Sequence, residues 1–152
     1  MKRLDKGDTT PDFKGIDQEG RSIQLSDFRR SKLILYFYPK DNTPGCTAEA
    51  CDLRDNYKMW LTKGYKILGV SPDSQQSHQK FITKYNLPFP LIADEDKTII
   101  KAYGAWGLKK LYGREYEGLL RTTFVIDEKG IIEEVFTKVK TKDHTNQILE
   151  TI

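Results

Sequence analysis

Long apolar runs are missing from this 152-residue sequence, and no segment is long enough to span a bilayer. The start, MKRLDKGDTTPDF, is basic, but no apolar stretch follows it, so no signal peptide is expected. An excess of charge of one sign is missing too. Lys and Arg number 25 against 22 Asp and Glu, a net charge of +3, and the basic residues are scattered rather than clustered. Nucleic acid is therefore not an expected partner. Cysteine is scarce: Cys46 and Cys51 are the only two, too few for a secreted disulfide scaffold. Internal repeats, low-complexity stretches and linkers are absent. What remains, 38% hydrophobic and 31% charged, is the composition of a soluble globular protein. The expectation is a single domain over residues 1–152 in the cytoplasm, where a disulfide would be transient and chemical.

Periodicity supplies the elements. Phe13 to Leu25 reads as two short strands around an Asp-Gln-Glu-Gly turn, an N-terminal hairpin, and Ser26 caps one helical turn after it. KLILYFYP, from Lys32, is a continuous apolar run of the kind buried on two faces. Residues 44–63 read as one helix with Ala50, Leu53, Tyr57 and Leu61 on its apolar face and Gly64 closing it. Tyr65 to Ser71 is a second buried strand. Ser74 to Tyr85 is a helix with Phe81 and Tyr85 on one face and Asn86 near its end. Phe89 to Asp94 is a short strand and 95–103 a short helix. YGAWGLKKLYGREYEG is an aromatic, Gly-rich excursion with no element assigned to it. RTTFVIDEKGIIEEVF is the strongest hairpin signal, turning at Asp127–Gly130, and Asp143 caps a last helix ending at Ile152. Strands alternating with helices, then a hairpin, give an α/β layer arrangement with a central mixed β-sheet flanked by helices.

The chemistry concentrates in FYPKDNTPGCTAEACDLRD, Phe37 to Asp55. Thr43 stands where an N-cap belongs, Pro44 at N1, where its missing N–H costs nothing, and Gly45 and Cys46 at N2 and N3. A thiol in a first turn lies among unpaired backbone N–H groups at the positive end of the helix dipole, and thiols so placed have lowered pKa values. Gly45 leaves those N–H groups open to a small ligand, so a thiolate there can attack an electrophile whose departing charge is stabilised on the spot. Position alone leaves a second reading open, in which Cys46 is a small residue packed at a helix start.

Cys51 follows five residues later. In a regular helix that spacing puts the two Cα atoms about 8.7 Å apart, beyond the roughly 4.4–6.8 Å a disulfide needs. If the sulfurs react together, the first turns must unwind, which implies a folded dithiol state and a locally unfolded disulfide state. Spacing equally allows Cys51 to be an inward-facing helix residue. No metal or other cofactor is expected: the thiols are not in C-x-x-C spacing, and His78 and His144 lie in other segments. Each histidine reads as a surface residue. Arg121, before TTFVID, reads on composition as a surface charge, Glu49 as an ordinary first-turn acid, and Pro39 as a strand end.

Pro39, Thr43 and Cys46 form P-x-x-x-T-x-x-C, which resembles the active-site signature of peroxiredoxins. The longer string is similar to that of the bacterioferritin comigratory protein, or peroxiredoxin Q, subfamily, and the likeness continues in LIADED, YGAWG, RTTFVID and GIIEEVF. The resemblance implies a thioredoxin-like fold. It implies reduction of hydrogen peroxide and organic hydroperoxides, recycling by thioredoxin or a similar dithiol, and a monomer. It also implies residue roles. Cys46 would be the peroxidatic thiolate and Cys51 the resolving thiol. Thr43 would hydrogen-bond thiolate and peroxide, Pro39 would shield the site from water, and Arg121 would be a supporting cation held by Glu49. Trp106 in YGAWG is read as a packing residue that could border the pocket. Two competing functions stand beside this one: a disulfide reductase on the same fold, which lacks its usual C-x-x-C, and a non-catalytic binding module with inert cysteines.

Overall fold

The computed structural model describes residues 4–152, and Met1–Arg3 of the basic start lie outside them. A hairpin comes first, β1 (Lys14–Ile16) against β2 (Ser22–Gln24), with Asp17 Oδ1 accepting from the Glu19 and Arg21 N–H groups inside the turn. One 3-10 turn, Leu25–Phe28, follows. It starts two residues earlier than a Ser26 cap would set it, with Gln24 at the N-cap, because Asp27 Oδ2 reaches back to the Gln24 N–H.

The central sheet has the order β5-β4-β3-β8-β9. Its strands are β3 (Lys32–Phe37), β4 (Tyr65–Ser71), β5 (Leu91–Ala93), β8 (Thr122–Ile126) and β9 (Ile132–Phe136). β3, β4 and β5 run parallel, whereas β8 is antiparallel to β3 and β9 to β8. Successive residues of a strand point to opposite faces, so β3 feeds two cores. Leu33, Leu35 and Phe37 join Phe124, Ile126, Tyr103 and the N-terminal hairpin on one side. Ile34, Tyr36 and Tyr38 join Cys46, Ala50, Leu53, Trp60 and Phe81 on the other. Gly69 of β4 is dictated by Leu91 and Tyr36, since a Cβ there would stand 2.7 Å from Leu91 Cδ2 and 2.9 Å from the Tyr36 ring.

The helices are α1 (Pro44–Asp55), α2 (Tyr57–Thr62), α3 (Gln75–Tyr85), α4 (Thr98–Ala102) and α5 (His144–Leu149). The single helix expected over 44–63 is therefore two. It breaks at Asn56, whose backbone leaves the helical region (φ −108°, ψ 11°) while its Nδ2 donates to the Asp52 carbonyl. The break shifts the phase: Trp60 takes the buried position, and Leu61, expected inside, is 46% exposed. α3 begins at its Ser74 cap, which accepts from the Ser77 N–H, and ends at Asn86 in the left-handed region (φ 52°). α5 stops short of the expected Ile152, and Asp143 sits at its N-cap without a capping bond to the backbone.

The unassigned excursion is a second hairpin, β6 (Trp106–Leu111) with β7 (Arg114–Leu119). It turns at Tyr112-Gly113, where both residues have positive φ. The expected thioredoxin-like arrangement, a mixed sheet flanked by helices with an N-terminal hairpin, is the fold observed. Among the described residues no helix is long and apolar enough to cross a membrane.

Candidate functional site

Sheet register builds the site. Phe37 at the end of β3 pairs with Thr122 at the start of β8, so Arg121, one residue earlier, stands beside the C-terminal edge of β3. From that edge the chain runs through Pro39, reverses at Asn42 (φ 60°), and enters α1. The C-terminal edge of parallel strands is where α/β sheets hold ligands. Thr43, Pro44, Gly45 and Cys46 occupy N-cap to N3 as the sequence predicts. The first helical bond runs from Thr47 N–H to the Thr43 carbonyl at 2.8 Å, so the Gly45 and Cys46 amides precede the ladder.

Arg121 joins the two α1 side chains. Its Nη2 donates to Cys46 Sγ at 3.3 Å and its Nη1 to Glu49 Oε1 at 2.7 Å. Cys46 is 1% exposed and Glu49 fully buried, while the Arg121 side chain keeps 23% of its surface. The guanidinium is thus the group of the three that faces solvent. Burial works against its charge, but Glu49 and Cys46 together hold its pKa above the ordinary value. For Glu49 the balance favours the neutral form instead. Burial pushes its carboxyl up to about 7 against the pull of Arg121. A Cβ on Gly45 would sit 3.4 Å from Nη2, so the side-chain-free N2 position leaves that face of the guanidinium uncovered.

The other expected residues fall around this trio. Thr43 is at the N-cap, but its Oγ1 donates to the Lys40 carbonyl at 2.8 Å and makes no capping bond, which corrects the expectation that its side chain caps the helix. Its hydroxyl proton is engaged there and its lone pairs remain as acceptors. Pro39 is half-buried, two residues past the end of β3. Cys51 is half-buried in the intact α1, and both thiols are free. Trp106 packs against the core on the opposite side of the sheet from Cys46, with Lys97 Nζ 5.2 Å over its ring.

Neither histidine is at the surface. His144 is fully buried, with Nε2 2.8 Å from Thr123 Oγ1 and 3.6 Å from Glu49 Oε2. His78 is fully buried between Asp41 Oδ2 at 2.7 Å and the Ile92 carbonyl at 2.8 Å. Around Asp41 the network continues to Tyr38, Ser77 and, through the Asp41 N–H, to Asp73 and Ser71. It ties the loop between β3 and α1 to α3. Sequence signals existed for both: His78 lies one helical turn before Phe81 on the buried face of α3, and His144 lies three residues before Gln147. Asp41, Asp73 and His78 offer ligand atoms within 4.8 Å of one another, but those atoms already serve this internal network.

Comparison with known proteins agrees with this geometry. The AhpC/TSA family pattern matches residues 6–135. The chain is 44% identical to the peroxiredoxin Bcp of Bacillus subtilis over 149 residues, covering 98% of this chain and 95% of that one. It superposes on a cysteine-to-serine mutant of PrxQ from Xylella fastidiosa with a TM-score of 0.91 at 32% identity, over 99% and 96% of the two chains. A structure of the bacterioferritin comigratory protein of Xanthomonas campestris, solved for its alkyl peroxide reduction activity, gives a TM-score of 0.85 at 34% identity over 91% and 88%.

Proposed function

The chain belongs to the AhpC/TSA family and is a thiol peroxidase, and from that premise we propose that it turns over through a Cys46 sulfenic acid and a Cys46–Cys51 disulfide. The carrying observation is the Arg121 fork, one arm on Cys46 Sγ in the first turn of α1 and the other on the Glu49 carboxyl, which lies in the second turn and not in the first as its place in the sequence suggests. A cation donating to that sulfur is positioned to take up charge as an O–O bond breaks.

The steps follow from the placement. The Cys46 thiolate attacks the nearer peroxide oxygen, the O–O bond breaks, and the departing oxygen leaves as water or alcohol after taking a proton. Arg121 and the first-turn amides stabilise the charge on both oxygens. Thr43 Oγ1 accepts the hydroperoxide O–H, and Pro39 limits water beside the sulfur. Cys46 becomes a sulfenic acid. α1 then unwinds over its first turns, Cys51 attacks the sulfenic sulfur, and water is released. A thioredoxin-type dithiol restores both thiols by exchange. Hydrogen peroxide and organic hydroperoxides are the substrates. The reading includes a single-domain monomer in the cytoplasm, with no metal, haem or flavin in the cycle.

The test is mass spectrometry after one equivalent of peroxide. Loss of two hydrogens, mapped to a Cys46–Cys51 linkage, is the expected result. Cys51→Ser is expected to stop at the sulfenic acid, and full turnover by Cys46→Ser would end the proposal.

A further inference from the structure

Glu49 Oε2 is a loose end in this site. The carboxyl is fully buried, Arg121 holds its other oxygen, and Oε2 finds no hydrogen-bond partner among the described residues. The nitrogen facing it is His144 Nε2, 3.6 Å away and equally buried, too far for a hydrogen bond in this arrangement. The far side of the imidazole is fixed by its partner. Gln147 donates through Nε2 to the Lys138 carbonyl and accepts the Lys140 N–H on Oε1, so Oε1 is the acceptor end of the amide. His144 Nδ1 lies 2.9 Å from that Oε1 and therefore carries the hydrogen. A neutral His144 then accepts the Thr123 hydroxyl on Nε2 at 2.8 Å, with Glu49 Oε2 3.6 Å from the same nitrogen.

We propose that Glu49 and His144 hold one proton between them, and that this shared proton keeps the buried pocket neutral when Cys46 is a thiolate. The charges decide it. Thiolate and guanidinium cancel, and the pair with one proton is neutral whichever partner carries it. Without that proton a net negative charge remains on a cluster almost wholly removed from water, which is costly. The other groups packed around Glu49 do not supply the missing charge. Tyr36 of β3 is a phenol that burial holds in its neutral form, and Asp52 of α1 is bonded to the Thr145 N–H of α5. Thr123 of β8 is neutral. Burial raises the Glu49 carboxyl and lowers the His144 imidazole, so Glu49 Oε2 is the main residence of the proton and Nε2, the nitrogen it faces, the second. His144 is a positioning residue acting through Glu49 on Arg121, and it touches neither substrate nor sulfur.

The proposal rests on Cys46 being the peroxidatic thiol, and it predicts a falling alkaline limb where the pair loses its proton. The experiment measures the single-turnover rate of Cys46 sulfenic acid formation from about pH 5 to about pH 9 in wild type, Glu49→Gln, His144→Asn and His144→Gln. Wild type is expected to give a bell. Glu49→Gln, permanently neutral, is expected to lose the alkaline limb. The two His144 variants remove one residence of the proton and are expected to move that limb down by roughly half a pH unit or more. An imidazole serving only as packing would change rate or stability but not the limb. A wild-type profile without an alkaline limb, or a limb unmoved in both His144 variants, overturns the proposal. The ¹⁵N resonances of His144 in wild type and Glu49→Gln give a readout independent of Cys46. An Nδ1–H tautomer whose Nε2 signal steps at the alkaline midpoint, with the step lost in Glu49→Gln, supports the pair, and its absence overturns it even if the His144 variants do not fold. Failure of Cys46 to oxidise at any pH would instead overturn the peroxidatic assignment.

Discussion

The Asp52 carboxylate accepts a 2.7 Å hydrogen bond from the Thr145 backbone N–H, one position into the first turn of α5. Thr145 Oγ1 in turn lies 3.3 Å from the Trp60 indole Nε1 of α2. The helix that carries both cysteines is thereby tied to the C-terminal helix at the residue directly after Cys51. In the proposed cycle α1 unwinds from its N-terminus to free Cys46, and this bond would mark where the stationary half begins. A charged acceptor on a first-turn amide also satisfies one of the donors that helix ends leave open.

Asp52→Ala leaves that amide without its partner. The expected cost is about 1–2 kcal/mol, read as a lower midpoint in urea unfolding. With the stationary half loosened, disulfide formation should gain on over-oxidation. Mass spectrometry after graded peroxide is expected to find less Cys46 sulfinic acid than in wild type at the same dose. An unchanged sulfinic fraction with lowered stability would separate the tie from the unwinding step.

Arg121→Lys tests the fork. An ammonium on a flexible stem cannot hold a thiolate and a carboxylate in fixed geometry as a planar guanidinium does. The second-order rate of peroxide with Cys46, followed by stopped-flow, is expected to fall about 10²-fold, the size of losing one donor at a developing charge. A fall of less than about threefold would mean that one point charge suffices.

Thr43 separates into a backbone and a hydroxyl role. Its Oγ1 already donates to the Lys40 carbonyl, so toward substrate it can only accept. Thr43→Ser keeps that arrangement and is expected to stay near the wild-type rate. Thr43→Val is expected to lose about tenfold in kcat/KM for hydrogen peroxide, the worth of one hydrogen bond. Equal rates for the two variants would remove the hydroxyl from the mechanism.

Much of this was legible in the sequence because its signals were strong and local. The apolar runs of β3 and β4 have no polar break, and Ser74, Asn86 and Gly130 punctuate their elements as their chemistry dictates. The Thr-Pro-Gly-Cys helix start is likewise a matter of four adjacent residues. What was missed depends on tertiary context. The β6–β7 hairpin is exposed on much of both faces, so it has no alternation to read, and its turn puts Tyr112 in a region where glycine or asparagine would be expected. Arg121, Glu49 and His144 look like ordinary surface charges one at a time. Only the register of β8 on β3 and the docking of α5 on α1 bring them together. The histidines read as surface residues for the same reason, since the partners of each ring come from segments distant in the chain as well as, for His144, from its own helix.

The Glu49–His144 pair makes a prediction about stability that needs no catalysis. The Glu49 carboxyl is raised from 4.5 to about 7 on folding, so its contribution is full below 4.5 and is lost as pH rises toward 7. The His144 imidazole is lowered from 6.5, so its contribution is full above 6.5 and is lost as pH falls through its folded value. Below 6.5, and above both 4.5 and the lowered folded value of His144, the unfolded chain therefore carries one proton of the pair, on His144, and the folded chain also carries one, on Glu49. The proton counts match, and the pair adds no slope to stability in that window. Each single variant breaks the match with opposite sign. In Glu49→Gln only the unfolded state holds the proton, so stability relative to wild type should rise with pH, by up to about 1.4 kcal/mol per unit. In His144→Asn only the folded state holds it, so relative stability should fall with pH by up to about the same slope. Urea unfolding of the three proteins at half-unit steps of pH measures both differences. Two variants that stay parallel to wild type would place the proton on neither residue.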